Sequence, residues 1–441
     1  MQQVVKYISV TVRKIPSWVL PVAGLYVVIF TVFMIRLDPD FGWHLQSGRA
    51  ILHHGIPTRD IFTFTAANFP WINHEWLSDV LILGLYSVGG FNAVAAGFAL
   101  IWTAALALAT KFMRWPVLAV GVAAMLDTIT ARPAAWTALF FAVVLVAVRR
   151  KVYWPLLPLF ALWANLHGGF VIGLLVIAAW AVRNRNYRWV LVGCILATFM
   201  NPYGPHLYVE IWRTLTDSQL RNNVVEWKPL AVGALSGLYI VSYLAAGATA
   251  GWRRDFILPS LMLISASSSM RQFPLFVVAS LGLVEGAYLR MEVFLAAKSG
   301  WRSYLLPLCA VALVVVPVSK VVLHPDNQAP TAAVSALSAN PCSGNLYNDY
   351  DFGGYLIWKM PQTKIYIDGR MPSWMLGGVS YMENWKRDLT DGQFRRKDFA
   401  EYNIRCVMVR PSRGQIIREL YAQGWFVAAA DTQAILLRQP D

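Results

Sequence analysis

Apolar runs approaching the width of a bilayer recur from residue 15 to residue 318, separated by short polar segments, and this repetition leaves few folds open. In hydrocarbon every backbone polar group must find its partner within the protein, so runs of this kind form helices packed in a bundle. With 57% hydrophobic and only 14% charged residues in 441, the chain reads as a mainly α, polytopic integral membrane protein. The first run, 16–35, is about 20 residues long, enough to cross a core of roughly 30 Å. It contains Pro16, Trp18 and Pro21, and no small-residue cleavage site follows, which favours a retained helix over a removed signal peptide.

A formal net charge of +14 would suit nucleic-acid binding if it were gathered on one surface. Here the basic residues sit in short clusters between apolar runs, at Lys6/Arg13/Lys14, Lys111/Arg114, Arg149/Arg150/Lys151, Arg183/Arg185/Arg188, Arg253/Arg254 and Arg290/Lys298/Arg302. That is the positive-inside pattern of cytoplasmic loops, and nucleic acid is not implied. Placing these clusters in the cytoplasm puts segments 38–75, 127–132, 165–169, 201–228 and 267–272 together on the other face. The topology then predicts eleven spans, near 16–35, 91–110, 115–130, 134–148, 152–166, 169–182, 189–200, 230–249, 256–268, 273–289 and 303–319. Segment 76–86 is apolar but short, and predicts an interfacial helix anchored by Trp71 and Trp76, so that 38–90 is one structured extracytoplasmic loop.

After Val318 charged residues become frequent and the apolar runs shorten, which marks a membrane domain over 1–319 and a soluble extracytoplasmic domain over 320–441. Strands are predicted at 345–348, 364–367, 406–409, 425–429 and 434–437, with helices at 332–339, 394–402 and 415–423, a small α/β unit. It contains no phosphate-binding glycine motif. Of four cysteines, Cys194 and Cys309 lie in apolar spans and read as small hydrophobes. Cys342 and Cys406 both fall in the tail, either bonded to each other or as two free thiols in a buried sheet.

The longest polar stretch of the front half reads D-P-D-F-G-W-H-L-Q-S-G-R-A-I-L-H-H-G-I-P-T-R-D from Asp38, followed by P-W-I-N-H-E-W-L from Pro70. It resembles the first extracytoplasmic loop of the GT-C superfamily of membrane glycosyltransferases, closest to a largely uncharacterised bacterial subgroup. The pieces A-R-P at 131–133, W-A-N-L-H-G-G-F at 163–170, N-P-Y-G at 201–204, E-W-K-P at 226–229, Y-N-D-Y-D-F-G-G-Y at 347–355 and I-D-G-R at 367–370 resemble the same subgroup. The resemblance implies a bacterial inner-membrane, multi-pass enzyme with a cytoplasmic N-terminus. It implies a polyprenyl-phosphate-type sugar donor and a glycan, lipid or protein acceptor. An acidic residue just after the first helix is the expected base; by position this is Asp40, with Asp38 the runner-up. The W-W-D triplet of oligosaccharyltransferases is absent, and Asp-Pro-Asp replaces the adjacent acidic pair of protein mannosyltransferases.

Sugar transfer from a lipid phosphate needs a carboxylate near the acceptor hydroxyl and cations near the departing phosphate. Asp40 stands just beyond the first span, and Pro39 keeps that helix from running on through both carboxylates. His44, four residues on, is placed to orient Asp40 if the stretch is helical. Arg132 and Arg271 each stand alone at the outer end of a span, where planar forks suit phosphate oxygens; an Arg132–Asp127 salt bridge and headgroup snorkelling are the plainer readings. His74 and Glu75 offer a second acidic or donor contact, and a divalent cation such as Mg2+ or Mn2+ would be held by Asp40, Glu75 and His74, although no tight ligand spacing is present. His167, before Gly168-Gly169, faces the donor or closes a tight turn. Asn201-Pro202-Tyr203-Gly204 is chiefly a turn. Glu226-Trp227 can bind sugar or anchor at the interface, and Asp368 and Arg370 either line the acceptor side or occupy a surface turn. A flippase for lipid-linked saccharides and a non-catalytic assembly protein are the alternatives, the first weakened by the absence of an internal repeat.

Overall fold

The computed structural model describes residues 16, 18–111, 114–182, 184–296, 329–376 and 378–440. Thirteen helices precede the tail among these: α1 Val19–Ile35, α2 Phe41–His54, α3 Trp76–Ala109, α4 Trp115–Met125, α5 Ala134–Arg150, α6 Leu156–Leu166, α7 Phe170–Ala181, α8 Arg185–Thr198, α9 His206–Thr216, α10 Ser218–Asn223, α11 Ala234–Ala250, α12 Ile257–Ser268 and α13 Phe273–Ala296. Each of the first ten expected spans contains a helix; the eleventh, 303–319, and the boundary at 319/320 lie outside the described residues. Not every helix is a full crossing by length: α4 and α6 have 11 residues each, about 17 Å of rise against a core of about 30 Å. Helices Trp76–Ala109 and Met270–Glu292 are long and apolar enough by themselves. Apolar residues occupy both sides of the bundle. Ile29, Phe33, Phe141 and Phe160 are buried, while Leu20, Leu175, Val182 and Trp189 face outward, the pattern of helices whose solvent is lipid.

Segment 76–86 is the first part of α3, which breaks at Gly89-Gly90, where Gly90 takes a φ of 61°. A Cβ added at Gly97 would touch Leu85, so the two limbs fold back on one another. The first limb carries a buried polar face: Ser78 donates to Leu166 O at 2.6 Å, and Asp79 is fully enclosed. Trp76 donates its indole N–H to Asn165 Oδ1 at 2.9 Å, and Trp71 is buried against the tail. Neither is an exposed interfacial anchor as expected, because each has a polar or aromatic partner inside the protein.

The tail holds α14 Thr331–Ala339, β1 Asn345–Asn348, α15 Gly353–Lys359, β2 Met375–Leu376, β3 Val379–Ser380, α16 Tyr381–Thr390, α17 Gly392–Glu401, β4 Ile404–Val409, α18 Gly414–Ala422, β5 Phe426–Ala430 and β6 Ile435–Arg438. Its main sheet has the order β1-β4-β6-β5, with β1 parallel to β4 and the other pairs antiparallel. Segment 364–367, expected as a strand, pairs only at Ile365, which bridges Thr63 on one side and Leu346 on the other. The first loop thus adds to the tail's sheet on the outer side of Ile365. Cys342 and Cys406 are disulfide-bonded, and Cys194 is a buried free thiol.

Loop and tail share one hydrophobic core, in which Trp43, Ala66, Phe69 and Trp71 pack with Tyr347, Leu356 and Trp374. Arg370 fastens them. Its Nη2 donates to Asp60 Oδ1 at 2.7 Å and to Asp368 Oδ2 at 2.6 Å, and its guanidinium lies 4.6 Å from the Trp71 ring centre, 4.8 Å from Phe62 and 5.0 Å from Trp374. All three charged side chains are almost completely buried. Replacing Arg370 with Met would leave Asp60 and Asp368 buried without their cation, at a cost of about 3–5 kcal/mol. The expected outcome is a large fall in the thermal midpoint of the tail, measured by tryptophan fluorescence, with new protease sensitivity in loop 58–72.

Candidate functional site

The polypeptide leaves α1 at Ile35, turns at Pro39-Asp40 and re-enters a helix at Phe41, as the Asp-Pro-Asp sequence predicts. Asp38 Oδ1 accepts from the Asp40 amide at 2.9 Å and fixes this turn, while its buried Oδ2 has no hydrogen-bond partner and lies 3.9 Å from Arg132 Nε. The Asp40 carboxyl faces a polar cavity of about 150 Å³, bounded also by Glu75, Arg132, Arg271, Tyr350 and Gly369. Burial, reinforced by Asp38 and opposed by His44 and Arg132, pushes the Asp40 pKa up to about 6.

Glu75 lies among three imidazoles. His167 Nε2 is 3.5 Å from Oε1, His74 Nε2 is 3.9 Å from Oε1 and His44 Nε2 is 3.9 Å from Oε2. Burial resists its ionisation, but His74, His44, His167 and Arg271 together outweigh that and hold the pKa at about 2. His167 Nδ1 accepts from the Gly169 amide at 3.0 Å and lies 2.7 Å from Thr137 Oγ1, whose own acceptor capacity is met by Trp163 Nε1 at 3.1 Å. Thr137 therefore donates to His167, and the ring's remaining proton sits on Nε2, facing Glu75. Burial depresses the His167 pKa to about 3 against the pull of Glu75, so this imidazole is neutral at pH 7.

His44 does not orient Asp40 through a side-chain bond as expected. Its Nδ1 is 2.6 Å from Asp79 Oδ1, and Asp79 Oδ2 accepts from Asn73 Nδ2 at 2.7 Å. Burial disfavours the imidazolium, yet Asp79 raises the His44 pKa on balance. Asp79 was not among the sequence candidates, although a carboxylate four residues after Glu75 in an apolar helix was a readable signal. Tyr203 likewise does more than make a turn, since its hydroxyl accepts from the Asn73 amide at 3.1 Å.

The two arginines differ. Arg132 pairs with Glu226 and approaches Asp38, while Asp127 is taken by Arg36 at 3.0 Å, so the expected Arg132–Asp127 alternative is not formed. Arg271 stacks 5.0 Å from the Trp227 ring centre, and among the described residues no carboxylate is ion-paired to it. Glu226 and Trp227 are thereby engaged by the arginines. Arg370, which lines the cavity, is bonded to both Asp368 and Asp60, so its charge is already engaged within the protein. Among the described residues no three His, Cys, Asp or Glu side chains stand where they could hold a metal ion, Asp40, Glu75 and His74 included.

At Arg132, Arg271, His74 and Trp227 the polar cavity meets a second, apolar one of about 500 Å³. Ile172 and Leu175 of α7, Leu215 of α9, Leu261 and Met262 of α12 and Leu275 of α13 line it. Leu175 and Leu261 are more than half exposed, so this groove reaches the outward apolar surface.

No family model and no curated protein sequence matches the chain. Solved structures do. The archaeal oligosaccharyltransferase AglB from Archaeoglobus fulgidus, in complex with an inhibitory peptide and a dolichol-phosphate, superposes with a TM-score of 0.59 at 10% identity over 89% of this chain and 69% of that one. ArnT from Cupriavidus metallidurans, bound to undecaprenyl phosphate, does so with a TM-score of 0.52 at 13% identity over 96% of this chain and 99% of that one. The chain thus shares the fold of these two proteins. Asp40, Glu75, Arg132 and His167, which lie in the segments that carry the sequence resemblance, border the two joined cavities together with Arg271.

Replacing Asp79 with Asn would remove the charge that raises the His44 pKa. The expected result is a downward shift of the His44 titration midpoint, followed by NMR of protein carrying 15N-labelled histidine.

Proposed function

We propose that this protein transfers a sugar from a polyprenyl-phosphate-type lipid to an acceptor on the extracytoplasmic side of the membrane. The observation that carries the reading is the junction of cavities: a polar chamber with Asp40 opens, at Arg271, which no carboxylate ion-pairs among the described residues, into an apolar groove that reaches the outward apolar surface. A lipid-linked sugar has the same three parts in the same order. Its isoprenoid chain suits the groove, its phosphate suits Arg271 and Arg132, and its sugar suits the polar chamber. The dolichol-phosphate and undecaprenyl phosphate in the two similar structures support a lipid phosphate as ligand. The Cys342–Cys406 disulfide supports an extracytoplasmic tail, because such bonds persist in oxidising compartments.

In the proposed reaction Asp40 takes the proton of an acceptor hydroxyl as its oxygen attacks the anomeric carbon. The bond from that carbon to the phosphate oxygen breaks, its electron pair stays on the lipid phosphate, and Arg271 with Arg132 stabilises the added charge. Glu75, held ionised by its imidazoles, suits hydrogen bonding to sugar hydroxyls.

Purified protein in nanodiscs, offered radiolabelled polyprenyl-phosphate sugars and extracytoplasmic acceptors, tests the reading. Asp40→Asn is expected to lower transfer by about 10²–10⁴-fold; full transfer by this variant would remove Asp40 from the base role. Because the base acts ionised and its pKa is raised, kcat/KM should rise with pH through about 6 and level off above it. Arg271→Ala should weaken binding of undecaprenyl phosphate by about 10–100-fold, the range for losing a charged hydrogen-bonding partner, as read by competition with a fluorescent lipid phosphate.

A further inference from the structure

The polar chamber is small and its far side is rigid. Its volume of about 150 Å³ is well below the roughly 300–1,000 Å³ of ordinary ligand pockets. The mouth toward the groove is set by Arg271 and Arg132, and the opposite wall is the tail, through Tyr350, Gly369, Arg370 and Trp374. Gly369 brings tail backbone directly against the Asp40 carboxylate, since a Cβ there would overlap Oδ1. Gly354 does the same against the carbonyl oxygen of Pro39. A backbone wall cannot withdraw by changing a rotamer. Moreover, it is tied down at Arg370 to Asp60 at 2.7 Å, and at Ser373, whose carbonyl accepts from Arg213 Nη2 at 2.9 Å.

We propose that the donor carries one sugar unit on its lipid phosphate and that oligosaccharide-bearing lipids are excluded, an inference that rests on the glycosyltransferase reading. With the phosphate at Arg271, the chamber's volume of about 150 Å³ leaves room for a single ring before the tail wall. A second ring, attached at a hydroxyl directed away from the phosphate, meets Tyr350 and the Gly369 backbone. Asp40, Glu75 and His74 around the first ring provide acceptors and donors for its hydroxyls, which an oligosaccharide held outside the chamber would leave unmet.

The test uses the full chain in nanodiscs and a dansyl-labelled undecaprenyl phosphate as the displaced probe. Competitors are matched pairs of undecaprenyl phosphates bearing one sugar or a linear tetrasaccharide of that same sugar. At least one single-sugar lipid should compete more strongly than undecaprenyl phosphate alone, with its tetrasaccharide counterpart weaker by about tenfold or more, as a steric exclusion requires. Tyr350→Ala, which removes a side chain from the wall, should narrow that gap. Tetrasaccharide lipids that bind as tightly as their single-sugar partners would overturn the inference and leave the glycosyltransferase reading standing. Absence of direct binding by the labelled lipid would instead sink that reading, and the inference with it.

Discussion

A guanidinium enclosed between two carboxylates and three aromatic rings joins positions 310 residues apart, and the shape of the site depends on it. Arg370, Asp60 and Asp368 are charged groups withdrawn from water, a state that is costly unless each charge is matched. Asp60 and Asp368 share the one guanidinium only when loop 58–72 and the tail are docked, so separating the two segments would strip Asp60 of its cation. The consequence reaches Asp40 at once, because Gly369 lies between Asp368 and Arg370 and touches its carboxylate. Exposed ion pairs would hold the tail less firmly, since they contribute only about 0–1 kcal/mol.

The docked tail also divides the carboxylates of the site into two electrostatic classes. Asp40 has a neighbouring carboxylate and little positive charge of its own, so burial raises its pKa to about 6. Glu75 is equally enclosed, yet histidines and Arg271 surround it and its pKa falls to about 2. Two carboxyls pushed apart in this way have different uses, one exchanging a proton near neutral pH and the other a permanent anion. The relay from Trp163 through Thr137 to His167 adds a directed N–H beside Glu75 without adding a charge.

Much of this arrangement was legible in the sequence because membrane helices obey a local rule. Apolar length and the placement of Lys and Arg identified helices from Val19–Ile35 to Phe273–Ala296, and gathered Asp40, Glu75, Arg132, His167 and Arg271 on one face, where the structure brings them around joined cavities. What escaped depends on contacts between distant segments. The Arg370–Asp60 pair has no local signature, so Arg370 read as a free loop residue. Segment 364–367 has the composition of a strand, but it pairs only at Ile365, between Leu346 and the loop at Thr63. His44 stood one turn from Asp40 and was assigned to it, whereas the fold of α3 offered Asp79 at 2.6 Å, a stronger partner. Trp71 and Trp76 looked like interfacial anchors by type, and became internal ones through Arg370 and Asn165.

The difference between the two arginines bears on where stabilisation is applied along the reaction. A lipid phosphate that carries a sugar is a monoanion, and it gains a second charge as the sugar leaves. Arg132 already faces Glu226 and Asp38, so much of its field is spent within the protein before any ligand arrives. Arg271 rests on the Trp227 face, an arrangement that holds the guanidinium in place without neutralising it. In a site largely shielded from water, such a fixed cation interacts more strongly with a dianion than with a monoanion, and that excess is the part of binding that lowers a barrier. In the proposed reaction Arg271 therefore supplies the larger share of the stabilisation of the departing phosphate, and Arg132, paired with Glu226 and 3.9 Å from Asp38, the smaller.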